Sequence, residues 1–169
     1  TTPTRRYLDF ERGKYDLIFF ENKKWGWEQH PIDESVGLID SKQVYIANAD
    51  KARNDAFFNS FNNKLISAVR GYHYKFANYD ASPEYMRQKF RIRLVTDPVS
   101  TIYMTLNNLV DVSIISESYL YKFFNEHPDT AGKIVISKNS DRAGRLGLLV
   151  KKSDKPSIVA VNNLLNKLA

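Results

Sequence analysis

The sequence contains no cysteine. That one absence excludes disulfide cross-links, thiolate nucleophiles and cysteine-based zinc sites together. It agrees with export from the cell without requiring it. Histidine is scarce too. His30, His73 and His127 stand far apart, and none sits in a His-x-x-x-His spacing that would hold a metal. A Gly-x-Ser-x-Gly elbow, a phosphate-cradling glycine loop ending in Lys-Ser/Thr and a dinucleotide fingerprint are all missing. The chain is therefore read as a non-enzyme, with no catalytic residue, metal or cofactor expected. No apolar run approaches the ~20 residues of a membrane span. No signal peptide stands in the sequence, so any export signal is expected to have been removed or to lie outside it.

What is present is an ordinary globular composition. The 169 residues are 43% hydrophobic and 26% charged, enough for one core or two small ones and too apolar for long disorder. The net charge of +6 admits a nucleic-acid or membrane-surface binder as well as a merely basic protein. The basic residues are scattered rather than massed. Arg91 and Arg93 alternate with Phe90, Ile92 and Leu94, as on the solvated face of a strand. No nucleic-acid partner is expected.

Strands and helices alternate along the chain. Residues 5–10 read as a short helix behind a cap at 1–4, stopped by Gly13. Residues 15–20, 44–47, 65–69, 91–95, 112–115, 133–136 and 147–150 read as strands. Segment 83–90 opens with Ser82 as N-cap and reads as a helix. Apolar spacing predicts further helices over 98–109, 117–125 and 155–168, the second presenting Leu120, Tyr121 and Phe124 on one side. Segment 21–31 reads as a loop, and 50–63, with Phe57, Phe58 and Phe61, as a helical turn or two. Such alternation predicts an α/β fold with parallel pairing.

Four segments carry a family likeness. Pro3-Thr4-Arg5-Arg6-Tyr7-Leu8 followed by Gly13-Lys14-Tyr15-Asp16-Leu17-Ile18 resembles the helix-to-strand passage of the family 3 extracellular solute-binding proteins. Ile32-Asp33-Glu34-Ser35 is similar to the segment before the strand that leaves their first lobe. Lys64-Leu65-Ile66-Ser67-Ala68-Val69-Arg70-Gly71-Tyr72-His73-Tyr74 resembles their entry into the second lobe, and Leu106 to Ile115, ending Val110-Asp111-Val112-Ser113-Ile114-Ile115, its later strand. The order and spacing of the four run across nearly the whole chain.

The resemblance implies a periplasmic binding protein-like type II fold: two lobes, each a mixed sheet flanked by helices. Residues 1–47 and 147–169 would form the first lobe and 48–146 the second. The first is expected to be incomplete, because the family places a further strand–helix–strand unit ahead of Pro3. Its open strand edge implies a dimer or strand swap. The implied function is a periplasmic or extracytoplasmic receptor that closes its lobes on a small polar solute and serves an ABC transporter, with hinges near 42–46 and 145–148. The alternative is a ligand-sensing or interaction domain of an envelope signalling protein. An enzyme on this scaffold would need a catalytic domain beside it.

In such folds ligands sit where strand carboxyl ends meet loops and helix N-termini. The loops after Phe20, Val69, Val95 and Ile115 hold that place, which gives Glu21, Lys23, Trp25, Arg70, Gly71, Tyr72, Thr96, Ser116 and Glu117 as candidate ligand-binding residues. Each has a structural reading as well. Trp25 packs over the core as readily as it touches a ligand. Arg70 is otherwise a solvated strand end, and Tyr72 leans toward the ligand. The family's amino-acid anchors are not in place. Its carboxylate-binding Arg falls on Glu28, with Lys23 and Lys24 nearby, and its ammonium-binding Asp falls on Ser116, beside Glu117. Lys does not reproduce a bidentate Arg. A solute other than a standard α-amino acid is expected.

Overall fold

The computed structural model describes residues 1–52, 54–152 and 156–168. In chain order the elements are α1 (Arg6–Glu11), β1 (Leu17–Glu21), β2 (Ile32–Glu34), β3 (Ile39–Asn48), β4 (Ile66–Val69), α2 (Pro83–Lys89), β5 (Ile92–Val95), α3 (Pro98–Leu106), β6 (Val112–Ser116), α4 (Glu117–Glu126), β7 (Ile134–Lys151) and α5 (Ile158–Leu168). Short 3-10 turns lie at Asp55–Phe58, Lys75–Ala77 and Pro128–Lys133. The chain divides into two compact units, Thr1–Asp40 with Gly144–Ala169, and Ser41–Ala143.

The first unit is built on the end of β7. Val150 is flanked by Leu17 of β1 on one side and Asp33 of β2 on the other, both antiparallel. Side chains alternate across a strand. Leu149 therefore meets Phe10, Trp27 and Ile32 on one face, while Leu148 and Val150 meet Val161 and Leu165 of α5 on the other. Both faces are covered, which is why 146–150 reads as an unbroken apolar run. The strands expected at 133–136 and 147–150 are one continuous strand, β7. Gly147 is required where β7 runs against the segment after β2: a Cβ there would lie 2.7 Å from Ser35 Oγ and from the Val36 carbonyl oxygen.

One expectation for this unit changes, and one falls in part outside the described residues. The N-cap of α1 is Arg5, without a side-chain cap; the Thr2 carbonyl takes the Arg5 and Arg6 amides instead, at 3.0 and 3.1 Å. The start of the closing helix, placed at 155, falls outside the described residues, and α5 is described from Ile158.

The second unit orders its strands β7-β3-β6-β4-β5. Parallel pairing, which the alternation predicts, joins β4 to β5 and β4 to β6, whereas β3 runs antiparallel to β6. Tyr45, Ile66, Ala68, Val112 and Ile114 face Phe58, Tyr74 and Met86. Val44, Ile46 and Ile115 face Ile102 of α3 and Leu120 and Phe123 of α4. Burying a side chain of the Ile or Leu kind contributes about 1.5–3 kcal/mol, so Ile114, fully buried, is a site where a charge would break the sheet.

Small polar residues let α3 lie close on this sheet. Ser113 Oγ sits 2.7 Å from Ser67 Oγ and 2.6 Å from Thr105 Oγ1, and it donates to the Thr101 carbonyl. All four residues are buried; the Ser67, Ser113 and Thr105 hydroxyls answer one another, and the Thr101 hydroxyl donates to the Pro98 carbonyl. The helix expected over 98–109 stops at Leu106, where Asn107 turns its amide back to the Tyr103 carbonyl and Asn108 takes a left-handed φ of 57°. Leu109, beyond that turn, is exposed rather than on the buried face, and Tyr103 is exposed on α3 itself. On α4 the buried pair is Leu120 and Phe123, and Tyr121 points outward.

Candidate functional site

The second unit carries a cavity of about 370 Å³ at the carboxyl ends of its parallel strands. The sheet supplies the floor. Val69 ends β4, and Ile114, Ile115 and Ser116 end β6. Gln43 reaches the same place because β3 is antiparallel and its register sets Gln43 opposite Ser116. The walls come from the connections. Pro98 opens α3, and Ser118, Tyr119 and Lys122 stand on the first turns of α4. Tyr72 and Tyr74 return from the turn after β4. A smaller cavity of about 80 Å³ adjoins along α4 and shares Tyr119 and Lys122.

That turn explains how two tyrosines come to line the cavity. Gly71 adopts a φ of 80°, a conformation that favours glycine, and reverses the chain. Tyr74 then tucks beneath the strand end, where its hydroxyl accepts the Val69 amide at 2.9 Å. The Tyr74 ring is almost wholly buried, and burial pushes its phenol well above the usual tyrosine range. Tyr74 is a neutral, fixed wall. Tyr72 lies beside it with ring centroids 6.3 Å apart.

Behind the turn, Asp141 of β7 holds the loop. It is buried and accepts Tyr45 Oη at 2.6 Å and the Lys75 and Phe76 amides at 2.8 and 2.9 Å. Burial first, and the Asp141 hydrogen bond next, raise the Tyr45 phenol above its ordinary range. Thus β7 clamps the segment whose other side lines the cavity.

The helix openings differ. Asp97 caps α3, accepting the Ser100 amide at 2.9 Å and the Ser100 hydroxyl at 2.8 Å, and these bonds hold its carboxyl below the usual range. Ser116 begins α4 without capping it; its hydroxyl lies 2.9 Å from that of Ser118.

Of the residues selected from sequence, Tyr72 and Ser116 line the cavity. Arg70, Gly71, Thr96 and Glu117 are not among its lining residues. Arg70 is exposed, and its amide donates to the Val95 carbonyl. Glu117 meets Lys42 Nζ at 2.8 Å. The other three belong to the first unit. Glu21 faces Arg6 at 3.1 Å and accepts Trp27 Nε1 at 2.9 Å, while burial raises its carboxyl pKa. Lys23 is exposed, with its amide donating to Glu34 Oε1. Trp25 is half-buried against the Trp27 cluster, and its carbonyl accepts the Tyr7 hydroxyl. For Glu21 and Trp25 the packing role is the one these contacts describe.

Sequence reasoning passed over Gln43, Ser118, Tyr119 and Lys122. The spacing of Ser116, Tyr119 and Lys122, three residues apart at a helix start, was a usable signal. Gln43 is found only through strand register. Among the described residues no cluster of acidic, histidine or cysteine side chains could hold a metal, and no helix is long and apolar enough to cross a membrane.

No family model and no curated protein matches the chain. Solved structures do. It is similar to arginine-bound ArgBP from T. maritima at 14% identity and TM-score 0.70, covering 98% of this chain and 73% of that one. It is similar to the GluR0 ligand-binding core from Nostoc punctiforme, in complex with L-glutamate, at 15% identity and TM-score 0.70, covering 99% and 73%. A third is the amino acid ABC transporter substrate-binding protein AbpA from Streptococcus pneumoniae, bound to L-arginine, at 17% identity and TM-score 0.68, covering 99% and 68%. The chain therefore has the type II periplasmic binding protein fold, as the four motifs implied, and its structural neighbours are family 3 solute-binding proteins.

Proposed function

We propose that this protein is a non-catalytic receptor that binds a small solute, with the cavity of the Ser41–Ala143 unit as its binding surface, in the service of an extracytoplasmic ABC-type transport system. One observation carries the reading: a cavity of about 370 Å³ opens at the carboxyl ends of parallel strands, where α/β folds take ligands. Its make-up supports the same reading. Tyrosine rings and aliphatic side chains supply contact area, and Gln43, Ser116 and Ser118 supply a few hydrogen-bonding groups for orientation. The likeness to ArgBP and AbpA adds the transport context. The likeness to the GluR0 ligand-binding core favours a second reading, a ligand-sensing domain of an envelope signalling protein, which would use the same cavity.

Thermal shift against a library of small polar solutes tests the binding function. A solute present at about 100 times its Kd adds about 2.7 kcal/mol of stability, and Tyr72→Ala is expected to remove most of that gain. If no solute raises Tm, the receptor reading is wrong. A partner permease captured with the solute-loaded protein would favour transport over sensing.

A further inference from the structure

We infer that the solute of this cavity is a small carboxylate with a flat apolar body and no ammonium group, an aryl carboxylate in class. The inference rests on the solute-binding reading and narrows it. Among the described residues, Lys122 is the one charged residue lining the cavity, and no carboxylate lines it. The two acidic residues adjoining the lining in sequence are already engaged. Asp97 has both carboxylate oxygens on Ser100, and Glu117 is paired with Lys42 at 2.8 Å. An ammonium buried here would lose its water and gain no counter-charge, an expensive loss. An anion meets the Lys122 ammonium together with the Ser116 and Ser118 hydroxyls and the Gln43 amide. Lys122 is held only loosely by Glu126, 3.9 Å away with both side chains exposed, so it is available to turn to a ligand.

The shape of the site argues for a ring. Tyr72 and Tyr119 present aromatic surface, with Pro98 beside them and the buried Tyr74 and Ile115 behind. Aromatic pairs add about 0.5–1.5 kcal/mol beyond their buried area. At about 30 Å³ per water-sized group, the cavity holds roughly a dozen such groups, the size of one ring with a short acidic arm.

Calorimetric titration of the full chain with three probes sharing one ring decides the matter: phenylacetate, L-phenylalanine and phenethylamine. Phenylacetate is expected to bind about tenfold more tightly than either amine-bearing probe, the difference one charge-assisted hydrogen bond makes. Lys122→Gln, at an exposed position, is expected to weaken phenylacetate about threefold to fivefold with Tm unchanged. Equal or tighter binding of an amine-bearing probe overturns the carboxylate assignment but leaves solute binding standing. So does indifference of phenylacetate to Lys122→Gln, or a library solute that binds when phenylacetate does not. Failure of all three probes and of the whole library takes the receptor reading down as well.

Discussion

At the scale of single residues, the buried polar groups divide the molecule into what holds it and what is free to bind. Asp141 receives a phenol and two amides in a buried setting. Asp141→Ala strands all three donors, so we expect a loss of about 3 kcal/mol, or roughly 6–12 °C in Tm, by calorimetry. Glu21 has the same status in the first unit. Glu21→Ala leaves Arg6 buried without its carboxylate and is expected to cost about 3–5 kcal/mol, while the affinity of any solute the protein binds stays as it was. A change in affinity would support Glu21 as a ligand-binding residue. The sequence suggested Glu21 from its position after a strand, but position alone does not distinguish a carboxylate facing solvent from one facing Arg6. Tyr72 and Ser116 came from the same kind of argument and do line the cavity, because their strands belong to the parallel part of a sheet.

Titration acts on both units at this scale. Burial, with Glu21 adding to it, pushes the Tyr15 phenol up to about 12 from its ordinary 10.0. A folded value above the unfolded one means a contribution to stability that is complete below pH 10 and lost as pH rises toward 12. In the second unit, burial works against the charge on Asp111, but the Leu65 amide and the Lys51 ammonium outweigh it and lower its pKa. Ser100 does the same for Asp97. Their contributions are present above the ordinary carboxylate value of 3.8 and are lost as pH falls through the lowered folded values. Tyr45 and Tyr74 of the second unit are raised in the same direction, so both units are expected to lose stability at alkaline pH. Tm measured against pH checks this: Tyr15→Phe is expected to lessen the fall above pH 10, and Asp111→Asn to lessen the fall below pH 3.8.

At the scale of elements, caps and close approaches set boundaries that periodicity did not. Ser82 announced α2, because an N-cap is a local chemical signal, whereas α3 was read from its apolar spacing and its Asp97 cap emerged only in the structure. The end of α3 was not legible. Leu109 continues the apolar period, yet Asn107 and Asn108 turn the chain before it. The unity of β7 was hidden as well, since its middle, from Lys138 to Arg145, is polar on a strand whose two ends are apolar. Asp97→Ala is expected to cost about 1 kcal/mol by loss of the cap. Gly147→Ala is expected to cost about 1–3 kcal/mol, because its Cβ meets backbone as well as the Ser35 side chain and the strand must shift. Chemical denaturation measures both, and a neutral Gly147→Ala would contradict the tight packing of β7 against the segment after β2.

At the scale of the whole molecule, a type II periplasmic binding protein fold carries a cavity lined by tyrosines, Gln43, two serines and Lys122. The four sequence segments conveyed the fold because strand, turn and helix signals in a fixed order survive large changes in side chains. They did not convey the pocket, which is assembled from β3, β4, β6, α3 and α4. Only the tertiary register places Gln43 beside Ser116, in the cavity that Lys122 also lines. The most direct test is solute titration followed by amide proton–nitrogen correlation spectra of the full chain. The account predicts shifts centred on Gln43, Tyr72, Ser116, Tyr119 and Lys122, saturating with one solute per chain. Shifts that leave these residues untouched, or the absence of any saturable shift across the solute library, would contradict it.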